Sequence, residues 1–172
     1  NGHQHILNLQ RVGFIMARIF ISYSRDNRFI AETIREFLQE NLNLTVWIDL
    51  DGIPGGEQWE HEILRAISIS HAMVVLVTSS SVESKWVAKE IELAREKRLQ
   101  VFPLVLQLFQ ILQTELHKLK IEDIQVIDFA TQSKESAYQQ LTNVLTDFVQ
   151  TWTQIKPLID KLTSAPPYTH TI

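Results

Sequence analysis

The sequence predicts an α/β protein with a flavodoxin-like, three-layer fold: a central five-stranded parallel sheet in the order 2-1-3-4-5, with helices on both faces. Five short runs rich in apolar and β-branched residues alternate with segments of helical period. The most continuous of these runs, His71 to Thr78, is expected to be the central strand. Strands that alternate with helices in this way favour a parallel sheet joined by right-handed crossovers.

Length and composition fit one soluble globular domain. The chain has 172 residues, of which 45% are hydrophobic and 21% charged, so we expect a sizeable core and no extensive disorder. The net charge of -4 provides no basic face for nucleic acid. Because the chain has no cysteine and no apolar run approaching about 20 residues, we expect no disulfide, no membrane span and a cytoplasmic location.

Residues 16–155 are expected to form the domain. Residues 1–15 fit no predicted element and are interpreted as an N-terminal extension or a linker. Residues 156–172 combine the end of the last helix with the segment SAPPYTHTI, whose prolines and small polar residues are typical of a linker to a further module.

The first half of the chain contains two predicted strands, Arg18 to Tyr23 and Leu44 to Ile48. Between them a helix is expected from Asp26, with an apolar face formed by Phe29, Ile30, Ile34, Phe37 and Leu38. The segment Asp49 to Glu57 contains three glycines and a proline. We therefore expect a mobile loop there, formed by Asp51, Gly52, Ile53, Pro54, Gly55 and Gly56.

The second half continues the alternation. A helix with Trp59, Ile63, Leu64 and Ile67 on one face precedes the central strand, and Ser84 is expected to cap the helix that follows it. The fourth strand is predicted at Val101 to Leu106, where Pro103 indicates a strand beginning or an unpaired N–H position. The remaining elements are expected to be a helix at Ile111 to Leu119, a strand at Ile124 to Phe129 and a helix from Ala137 that extends past Trp152.

Glu90 is a carboxylate whose position an ordinary surface does not explain. On a helical wheel of roughly 100° per residue, Lys85, Lys89 and Glu92 lie on the opposite face from it. An ionised carboxylate buried without partners costs several kcal/mol, so the fold should either pair Glu90 or open a cleft beside it. A partly exposed glutamate at the edge of the stripe is the alternative. The apolar arc that surrounds Glu90 consists of Trp86, Val87, Ile91, Leu93 and Ala94.

Polar residues follow the first and third strands, and in a 2-1-3-4-5 sheet the ligand crevice lies between those two strands. The first strand brings Ser22, Tyr23 and Arg25 to this edge. The second strand ends at Asp49, and the third leads into Ser79. Hydroxyls, an arginine, a mobile loop and an acid are the groups that a nucleotide or glycoside pocket uses, although strand ends are polar in most proteins.

Several sharper motifs are absent from the sequence. No glycine-rich dinucleotide fingerprint follows the first strand and no P-loop occurs, which argues against a nicotinamide redox enzyme or an ATPase. Aligning Gly52 with the glycine of a calcium loop puts Trp47 and Gln58 where carboxylates are needed. His61 lacks the second histidine of a zinc protease. The sequence thus predicts no metal site and no cofactor.

Three segments carry a family resemblance. RIFISYSRDN contains the first strand, VWIDLDGIPGGEQW spans the second strand and the loop after it, and SKWVAKE begins the Glu90 helix. With these segments in this order and spacing, the chain resembles the Toll/interleukin-1 receptor (TIR) domain family from about Arg18 to Phe148. SKWVAKE looks like the W-x-x-x-E segment of that family.

The resemblance implies an NAD+-cleaving enzyme, because bacterial, plant and some animal members of the family cleave the nicotinamide N-glycosidic bond. The catalytic glutamate of those members ends the W-x-x-x-E segment, which places it at Glu90 here. The implied products are nicotinamide with ADP-ribose or a cyclic isomer, and the tryptophan of this motif is associated with cyclisation in bacterial relatives. We expect substrate contacts from Trp86, Ser22, Tyr23, Arg25, Asp49 and Ser79.

Two alternatives remain open. Many animal members of the family only scaffold, so the chain could be a non-catalytic module that signals through contacts with other TIR domains. A nucleoside deoxyribosyltransferase has a similar fold and a catalytic glutamate. The resemblance further implies a homo-oligomer or filament on activation, a sensor domain beyond the C-terminal linker, and a role in prokaryotic immune or antiphage signalling.

Overall fold

The structure, a computed structural model, describes residues 16–48, 57–110 and 112–164, with the backbone alone for 57–59 and 162–164. Its strands are β1 (Arg18–Ser22), β2 (Thr45–Ile48), β3 (Ala72–Val77), β4 (Gln100–Val105) and β5 (Ile127–Asp128). A 3-10 turn at Arg25–Asn27 follows β1. The α-helices are α1 (Arg28–Leu42), α2 (Glu57–Ile69), α3 (Ser79–Val82), α4 (Lys85–Glu96), α5 (Leu112–Lys118) and α6 (Lys134–Ser164).

The five strands form one parallel sheet in the order β2-β1-β3-β4-β5, which confirms the predicted fold class. β1 lies between β2 and β3, and its last residue, Ser22, is opposite Val75 on β3. All six residues of β3 are buried, as expected of a central strand. The reversal of strand order between β1 and β3 puts the crevice of the sheet beside Ser22.

Both faces of β1 are covered by side chains. Phe20 belongs to an apolar cluster with Ile67 of α2 and Ile91 of α4. Ile19 and Ile21 are also fully buried, and alternate residues of a strand point to opposite faces. α2 and α4 therefore cover one face of the sheet together, and this packing brings the middle of α4 close to the end of β1.

α1 corrects one part of the predicted pattern. Its buried residues are Ala31, Ile34 and Leu38, whereas Phe29 is 81% exposed. Phe29 precedes Ala31 by two positions, so it lies about 200° around the helix from it. The prediction that Phe29 belongs to the buried face was wrong, because apolar character alone placed it there. The helix also starts later than predicted, since residues 25–27 form a 3-10 turn.

The edge of the sheet at β4 and β5 differs from the prediction as well. The fifth strand is two residues long, Ile127–Asp128, and not the six residues predicted from Ile124 to Phe129. Pro103 lies within β4, opposite Val75 on β3, while pairing with β5 starts only at Leu104. The expectation of an unpaired N–H position for Pro103 is consistent with this geometry, because β5 is too short to pair there.

Two caps fix the path from β3 into α4. Thr78 caps α3, accepting a hydrogen bond from the Ser81 N–H at 3.2 Å, and the Ser81 hydroxyl accepts one from the Thr78 N–H at 2.8 Å. Ser84 caps α4 as predicted, accepting a hydrogen bond from the Val87 N–H at 3.3 Å. Because each cap satisfies a backbone donor at a helix start, the starting points of both helices are well defined.

The chain divides into two compact units. Residues 16–140 of the described chain form one unit, and the residues from Leu141 onward belong to the other. α6 continues to Ser164, which confirms that the last helix extends past Trp152. Residues 1–15, 49–56, 111 and 165–172 lie outside the described residues, so the predicted boundaries at 15/16 and 155/156 stay predictions.

The Asp128 carboxylate closes the turn after β5. One of its oxygens accepts hydrogen bonds from the backbone N–H groups of Ala130 at 2.8 Å and Thr131 at 3.0 Å, and the other accepts one from the Thr131 hydroxyl. The Thr131 hydroxyl bond, followed by the two backbone bonds, holds the pKa of Asp128 below its usual value. The ionised form therefore stabilises the folded state.

We predict that Asp128→Ala lowers the free energy of unfolding by about 1 kcal/mol at neutral pH. A carboxyl whose pKa is depressed by folding contributes its full stability above its unfolded pKa and loses it as the pH falls through the folded value. The difference between the native protein and the variant should therefore shrink below about pH 4. Urea denaturation of both proteins at several pH values measures this difference in the free energy of unfolding.

The matched control is Asp123→Ala, because Asp123 is an exposed aspartate in the segment that precedes β5. It should change the free energy of unfolding by less than about 0.5 kcal/mol. A loss for Asp128→Ala that stays constant down to pH 2 would contradict the assignment.

Candidate active site

Glu90 lies on the buried side of α4. Only 8% of the residue is exposed, and its neighbours Val87, Ile91 and Ala94 are buried almost completely. Lys85 and Glu92 are exposed. Glu90 therefore lies inside the apolar arc as predicted, and it is not the partly exposed glutamate of the alternative interpretation.

Ser22 provides a hydrogen bond to the Glu90 carboxylate. The Ser22 hydroxyl donates to Oε2 of Glu90 at 2.6 Å, and Ser22 itself is fully buried. Ser22 is the last residue of β1, so the bond fixes the carboxylate at the carboxyl end of the sheet, where β1 and β3 adjoin. A hydrogen bond to an ionised acceptor offsets part of the cost of removing it from water.

A cleft opens beside Glu90 between α2 and α4. It is partly open to solvent, and its interior has a volume of about 10 Å³, which is room for about one water molecule. Its floor is apolar, with Ile63 and Ile67 from α2 and Leu93 from α4. A carboxylate on the wall of a largely apolar cleft acts in a medium of lower dielectric constant than water, which strengthens its interaction with a positive charge. The lining residues are Glu60, Ile63, Leu64, Ile67, Trp86, Lys89, Glu90 and Leu93.

The rim of the cleft carries a group that the sequence argument missed. Lys89 Nζ lies 3.5 Å from Glu60 Oε1 and 5.1 Å from the centroid of the Trp86 ring. The wheel put Lys89 on the solvated face opposite Glu90, but its long side chain reaches the rim. Glu60 was not singled out, although its spacing from Ile63 and Ile67 puts it on the face of α2 that lines the cleft.

The other predicted contact residues are placed as follows. Trp86 lines the cleft and is 40% exposed. Tyr23 is half-buried directly after β1, and Arg25 is exposed in the 3-10 turn. Ser79 is exposed at the start of α3 and accepts a hydrogen bond from the Gln107 side chain. Asp49 and the loop residues Asp51 to Gly56 lie outside the described residues.

A polar network joins the segments that follow β1 and β3. Asn27 Oδ1 accepts hydrogen bonds from the Thr78 hydroxyl at 2.7 Å and the Ser80 hydroxyl at 3.1 Å. Asn27 belongs to the 3-10 turn after β1, so these bonds hold the two segments together at the crevice. Asn27 was not among the predicted site residues, because its only signal in the sequence is its position shortly after the first strand.

No three histidine, aspartate or glutamate side chains come together as metal ligands among the described residues. No helix of the described residues is both long and apolar enough to cross a bilayer.

Comparison with known proteins shows the family. A family model described as TIR domain matches residues 19–142. The fold is similar to the TIR domain of the Toll-related receptor TRR-2 from the lower metazoan Hydra magnipapillata, with a TM-score of 0.58 at 16% identity over 75% of this chain and 95% of that one. It is also similar to the TIR domains of the activated Roq1 resistosome that recognises the pathogen effector XopQ, with a TM-score of 0.56 at 15% identity over 77% of this chain and 99% of that one.

No curated protein matches the chain significantly. At these identities the two structural likenesses show the fold alone. The family model spans well over half of the sequence and includes β1 from its second residue, the whole of α4, and Glu90. The chain therefore belongs to the TIR domain family, as its motifs predicted.

Proposed function

We propose that the chain is an NAD+ glycohydrolase or cyclase and that Glu90 is its catalytic carboxylate. The observation that carries this proposal is a buried carboxylate, fixed by Ser22 at the crevice of the sheet, on the wall of a cleft with an aromatic ring. A fold that needed only stability would gain little from a carboxylate at this position, because removing it from water is unfavourable.

The proposed reaction needs little more than positioning and one negative charge. The bond between C1′ of the ribose and the nicotinamide nitrogen breaks, and nicotinamide leaves as a neutral molecule with the bonding electron pair. The ribose then carries an oxocarbenium-like positive charge, which a fixed carboxylate stabilises as in glycosidases. Glu90 would occupy that place and would also bind the ribose hydroxyls.

The second step decides the product. When water attacks C1′ and loses its proton, the product is ADP-ribose. When a nitrogen of the substrate's adenine or a hydroxyl of its own ribose attacks instead, the product is a cyclic isomer. Trp86 lies on the cleft wall, where its ring would pack against a base or the ribose. Because the tryptophan of this motif is associated with cyclisation in bacterial relatives, the resemblance keeps the cyclic route open. Formation of linear ADP-ribose as the sole product under all conditions would exclude the cyclic route.

The family also supports a second candidate, a TIR module that acts only by contact with other TIR domains. The Roq1 structure contains TIR domains within an activated assembly. The two functions are compatible if assembly creates the active state, in a cytoplasmic defence or signalling protein.

We predict that Glu90→Gln reduces the release of nicotinamide from NAD+ by at least about 10²- to 10³-fold, because the charge that stabilises the transition state is removed. The assay uses high protein concentration and a clustering agent, with chromatography to identify nicotinamide and the ribosyl product. Glu92→Gln is the matched control, since Glu92 is an exposed glutamate on the same helix.

Equal rates for Glu90→Gln and Glu92→Gln would reject Glu90 as the catalytic residue. If the native protein releases no nicotinamide even when clustered, the enzyme proposal fails and the interaction module becomes the leading function.

We further predict that Ser22→Ala lowers kcat by about tenfold, because the carboxylate loses a charge-assisted hydrogen bond that fixes its position. KM should change much less, since Ser22 acts through Glu90. Ser24→Ala serves as the control, because Ser24 is a half-buried serine two residues after Ser22 in the sequence. An unchanged kcat for Ser22→Ala would show that this hydrogen bond does not position the catalytic group.

A further inference from the structure

Lys89 connects the two helices that form the cleft. It projects from α4, and its ammonium lies 3.5 Å from the Glu60 carboxylate on α2 and 5.1 Å above the Trp86 ring. All three residues line the cleft beside Glu90. In this arrangement a cation lies over an aromatic ring on the cleft wall.

These contacts of Lys89 are weak enough to exchange. The side chains of Lys89 and Glu60 are 52% and 44% exposed, and ion pairs at such exposure contribute little to stability. A lysine side chain has a flexible four-carbon stem and a compact charge that can change partners by rotamer changes alone. A phosphate group that entered the cleft would be a stronger partner for this ammonium than a solvated carboxylate.

A dinucleotide bound in this cleft would need a cation near its pyrophosphate, because the cleft wall carries two carboxylates. Among the described lining residues, Lys89 is the only cation, whereas Glu60 and Glu90 are both acidic. A substrate that carries a pyrophosphate between its two nucleosides would meet repulsion from these carboxylates unless a cation neutralises part of its charge. Lys89 and Glu90 are adjacent in sequence, but the Lys89 side chain extends to the rim of the cleft. Lys89 can therefore bind a phosphate at the rim while Glu90 faces the ribose.

We propose that Lys89 is a specificity-determining residue that exchanges Glu60 for the pyrophosphate of the substrate. When the ammonium leaves its place over Trp86, the ring face becomes accessible to the positively charged nicotinamide ring or to adenine, which takes over the same cation–π or stacking contact. The exchange of Lys89 from Glu60 to a phosphate thus favours substrates that carry a phosphate over substrates that carry none. This inference rests on the proposed NAD+-cleaving function.

The test compares two substrates that share the scissile bond. NAD+ carries the pyrophosphate, and nicotinamide riboside carries no phosphate. Lys89→Gln should raise KM for NAD+ by about tenfold with kcat nearly unchanged, and should leave KM for nicotinamide riboside unchanged or lower. Glu60→Gln should lower KM for NAD+ by about twofold, because Lys89 no longer has to leave a carboxylate.

The matched control is Lys85→Gln, since Lys85 is exposed on the same helix one turn before Lys89 and does not line the cleft. Lys85→Gln should leave kcat and KM unchanged for both NAD+ and nicotinamide riboside. A rise in KM for both substrates in Lys89→Gln would indicate a structural role only, and no change for either substrate would overturn the proposal.

Binding of ADP-ribose separates this inference from the proposed catalysis. Calorimetry should show weaker binding to Lys89→Gln than to Lys85→Gln, whether or not the native protein cleaves NAD+. Equal affinities of the two variants, or no binding to the native protein, would overturn the role of Lys89. If the native protein binds ADP-ribose but does not cleave NAD+, the proposed function is overturned and the binding role of Lys89 is not.

Discussion

The hydrogen bond from the Ser22 hydroxyl to the Glu90 carboxylate is the contact on which the site depends. Glu90 is 8% exposed and Ser22 fully buried, so this bond lies largely out of contact with bulk water. A carboxylate at this depth needs hydrogen bonds because desolvation is unfavourable by several kcal/mol. The protein therefore carries a buried polar pair next to an apolar cluster, and Glu90 of this pair lines the cleft.

The remainder of the fold places these two side chains together. The sheet order puts β1 beside β3, and the apolar contacts of Phe20, Ile67 and Ile91 press α4 onto the same face of the sheet. The Thr78 and Ser84 caps set where α3 and α4 begin, and hence the rotation of α4 that turns Glu90 inward. A shift of α4 by one residue would rotate Glu90 by about 100° and separate it from Ser22. The side-chain caps of these two helices thus help to set the geometry of the carboxylate.

Much of this arrangement could be predicted from the sequence because it depends on periodicity. Alternation of strands and helices gave the parallel sheet, and the helical period of α4 located Glu90 within an apolar arc. Phe29 was misplaced because an apolar residue at the start of a helix can face solvent. β5 was predicted too long, since an apolar run does not reveal how many of its residues find a partner on the neighbouring strand. The pair of Lys89 and Glu60 depends on side-chain reach between two helices, which spacing along one helix does not encode.

The measurement that tests the central claim most directly is the side-chain carboxyl signal of Glu90 during an NAD+ titration. The protein is labelled with 13C-glutamate, and Glu90→Gln identifies the signal by its absence. A substrate-facing carboxylate predicts a saturable shift of the Glu90 signal, larger than that of exposed glutamates such as Glu92. NAD+ consumption in the same sample with an unchanged Glu90 signal would contradict the account, because catalysis would then take place elsewhere.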